Sequence, residues 1–207
     1  HTRNEYIMRI IGLNNAMYIS SACLIEDGRV IAAVAEERLT RDKLTRAFPH
    51  KAIAYCLQEG GIGVSDVDHI ATSWNPSVYF LKYNPLYSGK YRHHVEQAYS
   101  VLDNLMEFYG RPVNEYLTQE VHGEFGGSKV CHITHHRAHA ANGFFLSPYE
   151  TAAILTADSQ GEIESTSFSH GQGNRITQIK SINFPHSLGG LYGTFTDYLG
   201  YKQNSDE

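Results

Sequence analysis

Runs of β-branched and other apolar residues at the start of the chain predict three short strands. These runs are Ile7–Leu13, Tyr18–Ile25 and Val30–Glu36. Asp27-Gly28 separates the second run from the third, and this dipeptide favours a tight hairpin because glycine accepts a positive φ. We therefore expect the chain to open with a group of neighbouring strands, two of which form a hairpin.

A helix, a fourth strand and a segment of different character follow. Pro49 favours a helix start, apolar positions spaced three and four apart supply its buried face, and Gly60-Gly61 ends it. Val67–Trp74 predicts the strand. The segment 75–127 is rich in Tyr, Asn and His before a helical pattern of apolar residues. We interpret it as a helical insertion beside the sheet, which either shapes an active-site entrance or forms a plain structural lobe.

The second half of the chain alternates strands and helices. Predicted strands are Val130–Thr134, Ala152–Ala157, Ser165–His170 and Ile176–Asn183. The glycine-rich segment 171–174 joins the last two and favours a second hairpin. Helices are predicted over His136–Leu146 and from the capping residue Ser187 to Gly200. Strands in hairpin groups separated by helices indicate an α/β fold with a mixed sheet.

Composition narrows the class of protein. The 207 residues are 42% hydrophobic and 19% charged, which is typical of a globular chain. A net charge of -5 without a basic tract argues against a nucleic-acid surface, and no apolar run of about 18 residues predicts a membrane helix. The polar start of the chain does not resemble a signal peptide. Cys23, Cys56 and Cys131 are far apart in apolar contexts, so we expect buried thiols in a reducing, cytoplasmic compartment.

Histidines are concentrated around residues 135–139. His135 and His139 are four positions apart, which places both rings on one face of a helix, where they can bind one ion. Such a pair can equally lie on a solvated or satisfied face. His136 points about a quarter turn away, where it would orient another ligand, contact substrate or pack. The glutamate that zinc peptidases place after their first histidine is absent, which disfavours a peptidase.

A second polar group follows the next apolar strand, at its carboxyl end. Asp158 stands there, and Ser159 and Gly161 belong to the turn after it. Ligands of open α/β sheets bind at such strand ends, and backbone N–H groups of the turn could face a phosphate. Asp158 with His135 and His139 would make a nitrogen–nitrogen–oxygen ligand set that suits iron(II), manganese or zinc and leaves positions open for substrate. Alternatively, Asp158 only caps the turn.

Several segments, taken in order, resemble the NodU/CmcH-type O-carbamoyltransferase family. They are Gly12-Leu13-Asn14 with Ser20-Ser21-Ala22, Asp27-Gly28, Ala35–Arg41, Phe48–Leu57, His135–Ala141, Phe145–Pro148, Asp158 with Gly161-Glu162, Ser187-Leu188-Gly189, Tyr198-Leu199-Gly200 and Asp206-Glu207. The ordered set spans nearly the whole chain and is more specific than any one motif. As a whole it resembles the N-terminal part of the family's metal-binding domain.

The resemblance implies an actin-like ATPase fold, with a ribonuclease H-like mixed sheet and flanking helices. It also implies O-carbamoyl transfer. In the family a YrdC-like C-terminal domain makes carbamoyl adenylate from carbamoyl phosphate and ATP, and the domain that resembles this chain passes the carbamoyl group to a hydroxyl. By position, His135 and His139 match the family's metal-binding histidine pair and Asp158 its first aspartate. The expected metal is divalent, iron(II) first with manganese or zinc as alternatives.

Two positions depart from the family pattern. The family's His-Asp pair before its serine segment corresponds here to Tyr18-Ile19. A general base works best with a pKa near the working pH, and tyrosine, with an ordinary pKa of about 10, suits that task poorly. The catalytic candidates are therefore Tyr18, in the family's position, and His136. The family's Asp-Gly-x-Gly-Glu motif has Ser159 in place of its first glycine, which adds a hydroxyl that could bond a phosphate.

By the resemblance, residues 1–207 are one part of a longer domain. The remaining aspartate ligand, the second half of the actin-like domain and the YrdC-like domain would lie beyond Glu207, so we expect no complete transfer by this chain alone. Expected partners are a small-molecule hydroxyl acceptor and carbamoyl adenylate, without nucleic acid or membrane, and a homodimer is one alternative for the oligomeric state. Two rival functions stay open: a tRNA threonylcarbamoyl-transfer protein and a non-catalytic actin-like module that binds a metal or a partner.

Overall fold

The computed structural model describes residues 7–14, 19–75 and 129–203, which divide into two compact units. The first unit comprises the described residues up to 75 together with 129–132, and the second unit comprises residues 133–203. Tyr18, the insertion predicted after Asn75 and both ends of the chain lie outside the described residues. Within the described ranges, no helix combines the length and the apolar character needed to cross a membrane.

A five-stranded mixed sheet forms the first unit. Its strands are β1 (Arg9–Asn14), β2 (Ser21–Glu26), β3 (Arg29–Ala35), β4 (His69–Thr72) and β5 (Lys129–His132). They lie in the order β3-β2-β1-β4-β5, with antiparallel pairs on the β3 side of β1 and parallel pairs on the β5 side. The predicted mixed α/β sheet is confirmed.

Turn residues set the bounds of these elements as predicted. Asp27 and Gly28 adopt φ values of 44° and 79° and connect β2 to β3 in a two-residue turn. Helix α2 (His50–Gly60) begins after Pro49 and ends at Gly61, which is left-handed. A 3-10 turn at Val64–Asp66 precedes β4. Because these signals are local, the sequence alone locates them within one or two residues.

Glu36 was placed at the end of the third predicted strand, and that prediction is wrong. It is the first residue of a short helix, α1 (Glu36–Thr40), and only 3% of it is exposed. Its carboxylate accepts hydrogen bonds from the amides of Lys51 at 3.2 Å and Ala52 at 2.7 Å, in the first turn of α2. A buried glutamate from one helix therefore satisfies the unpaired amides at the start of the next.

Apolar side chains from both layers fill the core of the first unit. The fully buried members include Ile11, Leu24, Ile53, Cys56 and Ile70. Alternate positions of β1, β2 and β4 supply one layer and α2 supplies the other, which is the pattern of a sheet covered by a helix.

The cysteines are free thiols, but they are not all buried. Cys56 is buried and Cys23 is partly buried, and burial raises the pKa of both thiols, that of Cys56 to about 11. Cys131 is exposed, so the expectation of a buried thiol is wrong there. It lies on β5, which is the last strand of the described sheet and has a neighbour on one side only.

The second unit is a three-stranded antiparallel sheet, with one helix before it and one after it along the chain. Its elements are α3 (His135–Phe145), β6 (Thr151–Ala157), β7 (Glu164–Gln172), β8 (Arg175–Asn183) and α4 (Leu188–Tyr198). Gly173 and Asn174 form the predicted hairpin turn, although β7 extends further toward it than predicted. The Ser187 hydroxyl accepts the Gly190 amide at 2.8 Å, which confirms the predicted cap of α4.

Helix α3 packs on this sheet through a small apolar cluster. Ala140 and Phe144 are buried against Ile176, with Ala152 and Ile154 beside them. A Cβ at Gly171 would lie 2.8 Å from atoms of the Phe144 ring. Because Gly171 has no side chain, the Phe144 ring can pack directly on β7, which positions α3 on the sheet.

Candidate metal centre

Three side chains converge at the junction of α3 and the loop after β6. His135 Nε2 lies 2.7 Å and His139 Nε2 3.1 Å from the same oxygen, Asp158 Oδ2. The two histidine nitrogens are 3.1 Å apart. Among the described residues, these three form the one group of histidine, cysteine or acidic side chains arranged closely enough to hold a metal ion. The sequence predicted these three residues as a ligand set, and the structure brings them together.

The separations fit the edges of a metal coordination shell. Two ligand atoms about 2.1 Å from one ion and at right angles to each other are about 3.0 Å apart. The three observed separations, 2.7 to 3.1 Å, lie around that value. The side chains of His139 and Asp158 are 51% and 36% exposed. An ion bound by one face to these three atoms would therefore have open positions for further ligands.

The charge of Asp158 is stabilised by its surroundings. Partial burial opposes ionisation, but hydrogen bonds with His135 and His139 and from the Ser159 amide outweigh it. The pKa of the Asp158 carboxyl is therefore held well below its ordinary value. At neutral pH the centre offers a carboxylate, which is the form that binds cations.

Helix periodicity explains why two histidines reach the centre. The buried stripe of α3 consists of His136, Ala140 and Phe144, four residues apart. His135 and His139 form the next stripe, one residue earlier, and their ring centroids are 4.4 Å apart. When the buried stripe packs on the sheet, His135 and His139 therefore face the end of β6.

The backbone around Asp158 is fixed from two sides. Its amide donates to the carbonyl of Ser165 at 2.9 Å, which continues the pairing of β6 with β7. The Ser187 hydroxyl donates to the carbonyl of Ser159 at 2.6 Å and lies 3.0 Å from that of Asp158. A Cβ at Gly189 would lie 2.4 Å from the Ser159 amide nitrogen, so the start of α4 packs directly on this loop.

His136 was predicted to act as a base, to contact substrate, to orient another ligand or to pack. It is 2% exposed. Its Nε2 lies 3.0 Å from the carbonyl oxygen of Glu164, which can only accept, so Nε2 carries the hydrogen. Its Nδ1 then accepts from the Thr156 hydroxyl at 2.7 Å, and Thr156 accepts from Ser167 at 2.7 Å. Both ring nitrogens are engaged. Burial, and to a smaller extent the nearby His135, lowers the pKa of His136. With both nitrogens bonded in the interior, the geometry favours a packing role for His136.

The turn predicted to face a phosphate directs its amides inward. The Ser159 amide donates to Asp158 Oδ1 at 2.6 Å, and the Gly161 amide donates to the Glu164 carbonyl at 2.7 Å. A Cβ at Gly161 would meet His136 Cδ2 at 2.8 Å. Gly161 therefore makes room for the His136 ring. Phosphate contacts by Ser159 and Gly161 stay a prediction that these hydrogen bonds do not favour.

Glu162 is a residue to which sequence reasoning assigned no role. It is 0% exposed, and its two oxygens lie 3.1 and 2.9 Å from the backbone amide of His135. The signal that could have found it is its type: a glutamate in a glycine-containing turn next to a candidate ligand. Its partner lies 27 residues away in sequence, so no local pattern identifies the contact.

Comparison with known proteins identifies the family of the chain. The family model described as carbamoyltransferase N-terminus matches residues 9–207. Nodulation protein NolNO of Sinorhizobium fredii is 33% identical over 91% of this chain and 26% of its own length. An uncharacterized protein of Synechocystis sp. is 37% identical over 96% of this chain and 33% of its own length. The chain thus spans a third or less of the length of these curated relatives.

Solved structures with a related arrangement are more distant. YeaZ from Pseudomonas aeruginosa matches with a TM-score of 0.44 and 13% identity, covering 88% of this chain and 73% of that one. The ROK hexokinase from Thermus thermophilus matches with a TM-score of 0.34 and 18% identity, covering 90% and 52%. The family match, which covers all but the first eight residues, is decisive: the chain belongs to the carbamoyltransferase N-terminus family.

Proposed function

We propose that this chain supplies the metal-binding part of an O-carbamoyltransferase, which transfers a carbamoyl group from carbamoyl adenylate to a hydroxyl of a small molecule. Carbamoyl adenylate would be made from carbamoyl phosphate and ATP elsewhere in the longer protein. Iron(II) is the metal we put first, with manganese or zinc as alternatives.

One observation carries the proposal: His135, His139 and Asp158 converge in a chain of the carbamoyltransferase N-terminus family. Two nitrogens and one oxygen on a single face suit a borderline divalent ion and leave other positions open. Cysteine ligands would favour a closed structural site, and none of the described residues at the centre is a cysteine. An open face is what a catalytic centre requires, because a substrate oxygen needs a place beside the ion.

The chemistry divides between the ion and the chain. When bound, a divalent ion would withdraw electron density from a carbamoyl or phosphate oxygen and stabilise the charge that develops there. The acceptor oxygen forms a bond to the carbamoyl carbon, the bond from that carbon to the phosphate oxygen breaks, and AMP leaves with the electron pair. The hydroxyl proton passes to a base. His135, His139 and Asp158 would hold the ion.

In this proposal His136 is not the base that takes the hydroxyl proton. Its proton positions are committed to Thr156 and Glu164, so it supports the helix that carries the ligands. Tyr18 retains the family's position for the base.

Carbamoyl transfer by the full-length protein tests the proposal. The assay follows radiolabel from carbamoyl phosphate into a panel of sugar and polyol acceptors, together with release of AMP, for the wild type and for His139→Ala. We expect the variant to lose transfer by at least about 100-fold, since each ligand is needed to fix the ion.

His170→Ala is the matched control. His170 is an exposed histidine of the second unit whose ring bonds only to Thr151 among the described residues. It should transfer at the wild-type rate. Equal activity of His139→Ala and the wild type would overturn the proposed role of the centre.

A further inference from the structure

Helix α3 begins without a cap of its own. Thr134, at the N-cap position, is extended and its side chain makes no capping hydrogen bond. The first amides of a helix have no partner within the helix, and a buried start needs acceptors from elsewhere. Glu162 supplies them, with Oε1 at 3.1 Å and Oε2 at 2.9 Å from the His135 amide.

The same short loop contacts His135 a second time. Asp158 and Glu162 are four residues apart on the loop between β6 and β7. Asp158 meets the His135 ring at Nε2, 2.7 Å away, while Glu162 meets the His135 backbone. One loop therefore fixes both the position of this residue along the helix and the direction of its ring.

The loop has little freedom to adjust. Asp158 pairs with Ser165 at one end, and the Gly161 amide pairs with Glu164 at 2.7 Å at the other. The carboxylate of Glu162 is fully buried, so solvent cannot replace its bonds. Loss of Glu162 would release the start of α3 relative to Asp158.

We propose that Glu162 is a positioning residue of the metal centre: it sets the His135 ring nitrogen at bonding distance from the ion that Asp158 and His139 share. The inference rests on the proposed function, because it presumes that the three ligands bind a divalent cation. Glu162 itself does not touch the ion.

Glu36 separates positioning from simple helix capping. It is a second buried glutamate that accepts two amides at the start of a helix, in the first unit. The hydrogen bonds of its carboxylate go to α2 and involve none of the three ligands. If capping were the whole role of Glu162, its loss and the loss of Glu36 would have the same kind of effect.

Cobalt(II) titration of the whole chain provides the test, because the visible bands of bound cobalt report ligand geometry as well as affinity. The proteins are the wild type, Glu162→Gln, Glu36→Gln and His139→Ala, each made metal-free with a chelator. We expect Glu162→Gln to bind cobalt about 10- to 100-fold more weakly, with altered bands. Glu36→Gln should match the wild type in both, even where its melting temperature falls.

A restored cap keeps the test sharp if Glu162→Gln folds poorly. Thr134→Asp places an acceptor at the N-cap, where it bonds the second or third amide of α3 but not that of His135. In the double variant Thr134→Asp with Glu162→Gln, the melting temperature should recover while cobalt affinity stays low. Recovery of wild-type affinity and bands along with stability would overturn positioning and leave only a capping role.

The outcomes also separate this inference from the proposed centre. If the wild type binds no cobalt, or His139→Ala binds it equally well, the metal centre fails and the inference fails with it. If the wild type binds and His139→Ala does not, but Glu162→Gln keeps wild-type affinity and bands, the centre stands and the positioning role is wrong.

Discussion

His135 and His136 are neighbours in sequence, yet their rings are 5.6 Å apart at an angle of 89° and meet different partners. His135 faces a carboxylate at the partly exposed centre, while His136 spans from Thr156 to Glu164 in the interior. Neighbouring positions of a helix point in different directions, so the two rings meet different partners. At the residue scale, burial governs how His136 responds to acid.

Acid should destabilise the protein through His136. Because burial lowers the pKa of His136, the unfolded chain takes up a proton before the folded protein does. The stability that neutral His136 contributes is therefore present above about pH 6.5 and is lost as the pH falls. His136→Asn should lower the unfolding free energy at pH 8 by about 1–3 kcal/mol. The unfolding free energy of this variant should also depend less on pH than that of the wild type.

Denaturant unfolding of the metal-free proteins between about pH 8 and pH 5 measures this. His170→Asn serves as the control, since that ring is exposed on β7. An unchanged pH slope in His136→Asn would show that His136 does not titrate as described.

Gly161 and Gly143 make a matched pair of glycines. A Cβ at Gly161 would meet His136 Cδ2 at 2.8 Å and the Glu164 carbonyl at 3.0 Å, whereas one at Gly143, within α3, meets nothing within 4 Å. Gly161→Ala should lower the unfolding free energy by about 1–3 kcal/mol. Gly143→Ala should raise it by up to about 1 kcal/mol, as alanine favours helix. Equal effects in denaturant unfolding would contradict the close approach.

Sequence predicted the ligands but not their support. His135, His139 and Asp158 follow from local rules, a helix spacing of four and a strand end, together with the family resemblance. The roles of Glu162 and Gly161 depend on residues 27 and 25 positions away, His135 and His136, and no periodicity encodes such a contact. For His136, the sequence left packing open beside roles as a base, as a substrate contact and as a residue that orients another ligand.

At the scale of elements, the start of α4 packs on the loop between β6 and β7, which contains Asp158, and holds it in place. The Ser187 hydroxyl both caps α4 and donates to the loop carbonyl of Ser159. Gly189 lets the helix backbone pack within a distance that any side chain would prevent. Cap residue and loop support are thus the same serine, and the sequence predicted only the first of these tasks.

Ser187→Ala should therefore affect stability and metal binding together. Loss of the cap should lower the unfolding free energy by about 1 kcal/mol, and release of the Asp158 backbone should weaken cobalt binding. Thr194→Ala is the control, because within the described part of the chain the Thr194 hydroxyl bonds only to the Gly190 carbonyl of α4. Calorimetry and cobalt titration check both effects. A destabilised Ser187→Ala with wild-type cobalt affinity would contradict the link between α4 and the centre.

Elements with strong local signals were located from sequence, and short elements without such signals were missed. The hairpin at Asp27-Gly28 and the cap at Ser187 each rest on a residue with one preferred role. Helix α1 has five residues, too few for an apolar period to emerge, and Glu36 was assigned to β3. What fixes α1 is the bond between Glu36 and α2, which is tertiary.

At the scale of the whole molecule, the centre lies within one unit of a chain that is a third or less of its relatives' length. Its three ligand atoms, and the contacts of Glu162 and Ser187, all belong to the second unit. We therefore expect the whole chain to bind an ion without the remaining parts of the longer relatives, while the proposed carbamoyl transfer should require those parts.

Bound metal should also stabilise the chain. A ligand that binds only the folded state, at about 100 times its dissociation constant, adds about 2.7 kcal/mol to the unfolding free energy. Cobalt(II) or manganese(II) should raise the melting temperature of the metal-free wild type and leave that of His139→Ala unchanged. An equal rise in both would place the ion elsewhere.

Metal content of the purified chain, measured by elemental mass spectrometry, tests the central claim most directly. Wild type, His139→Ala and the control His170→Ala are prepared side by side. The account predicts nearly one iron, manganese or zinc ion per chain in the wild type and in His170→Ala, and a loss of most of it in His139→Ala. Metal retained in His139→Ala, or none in the wild type even after incubation with these ions, would contradict it.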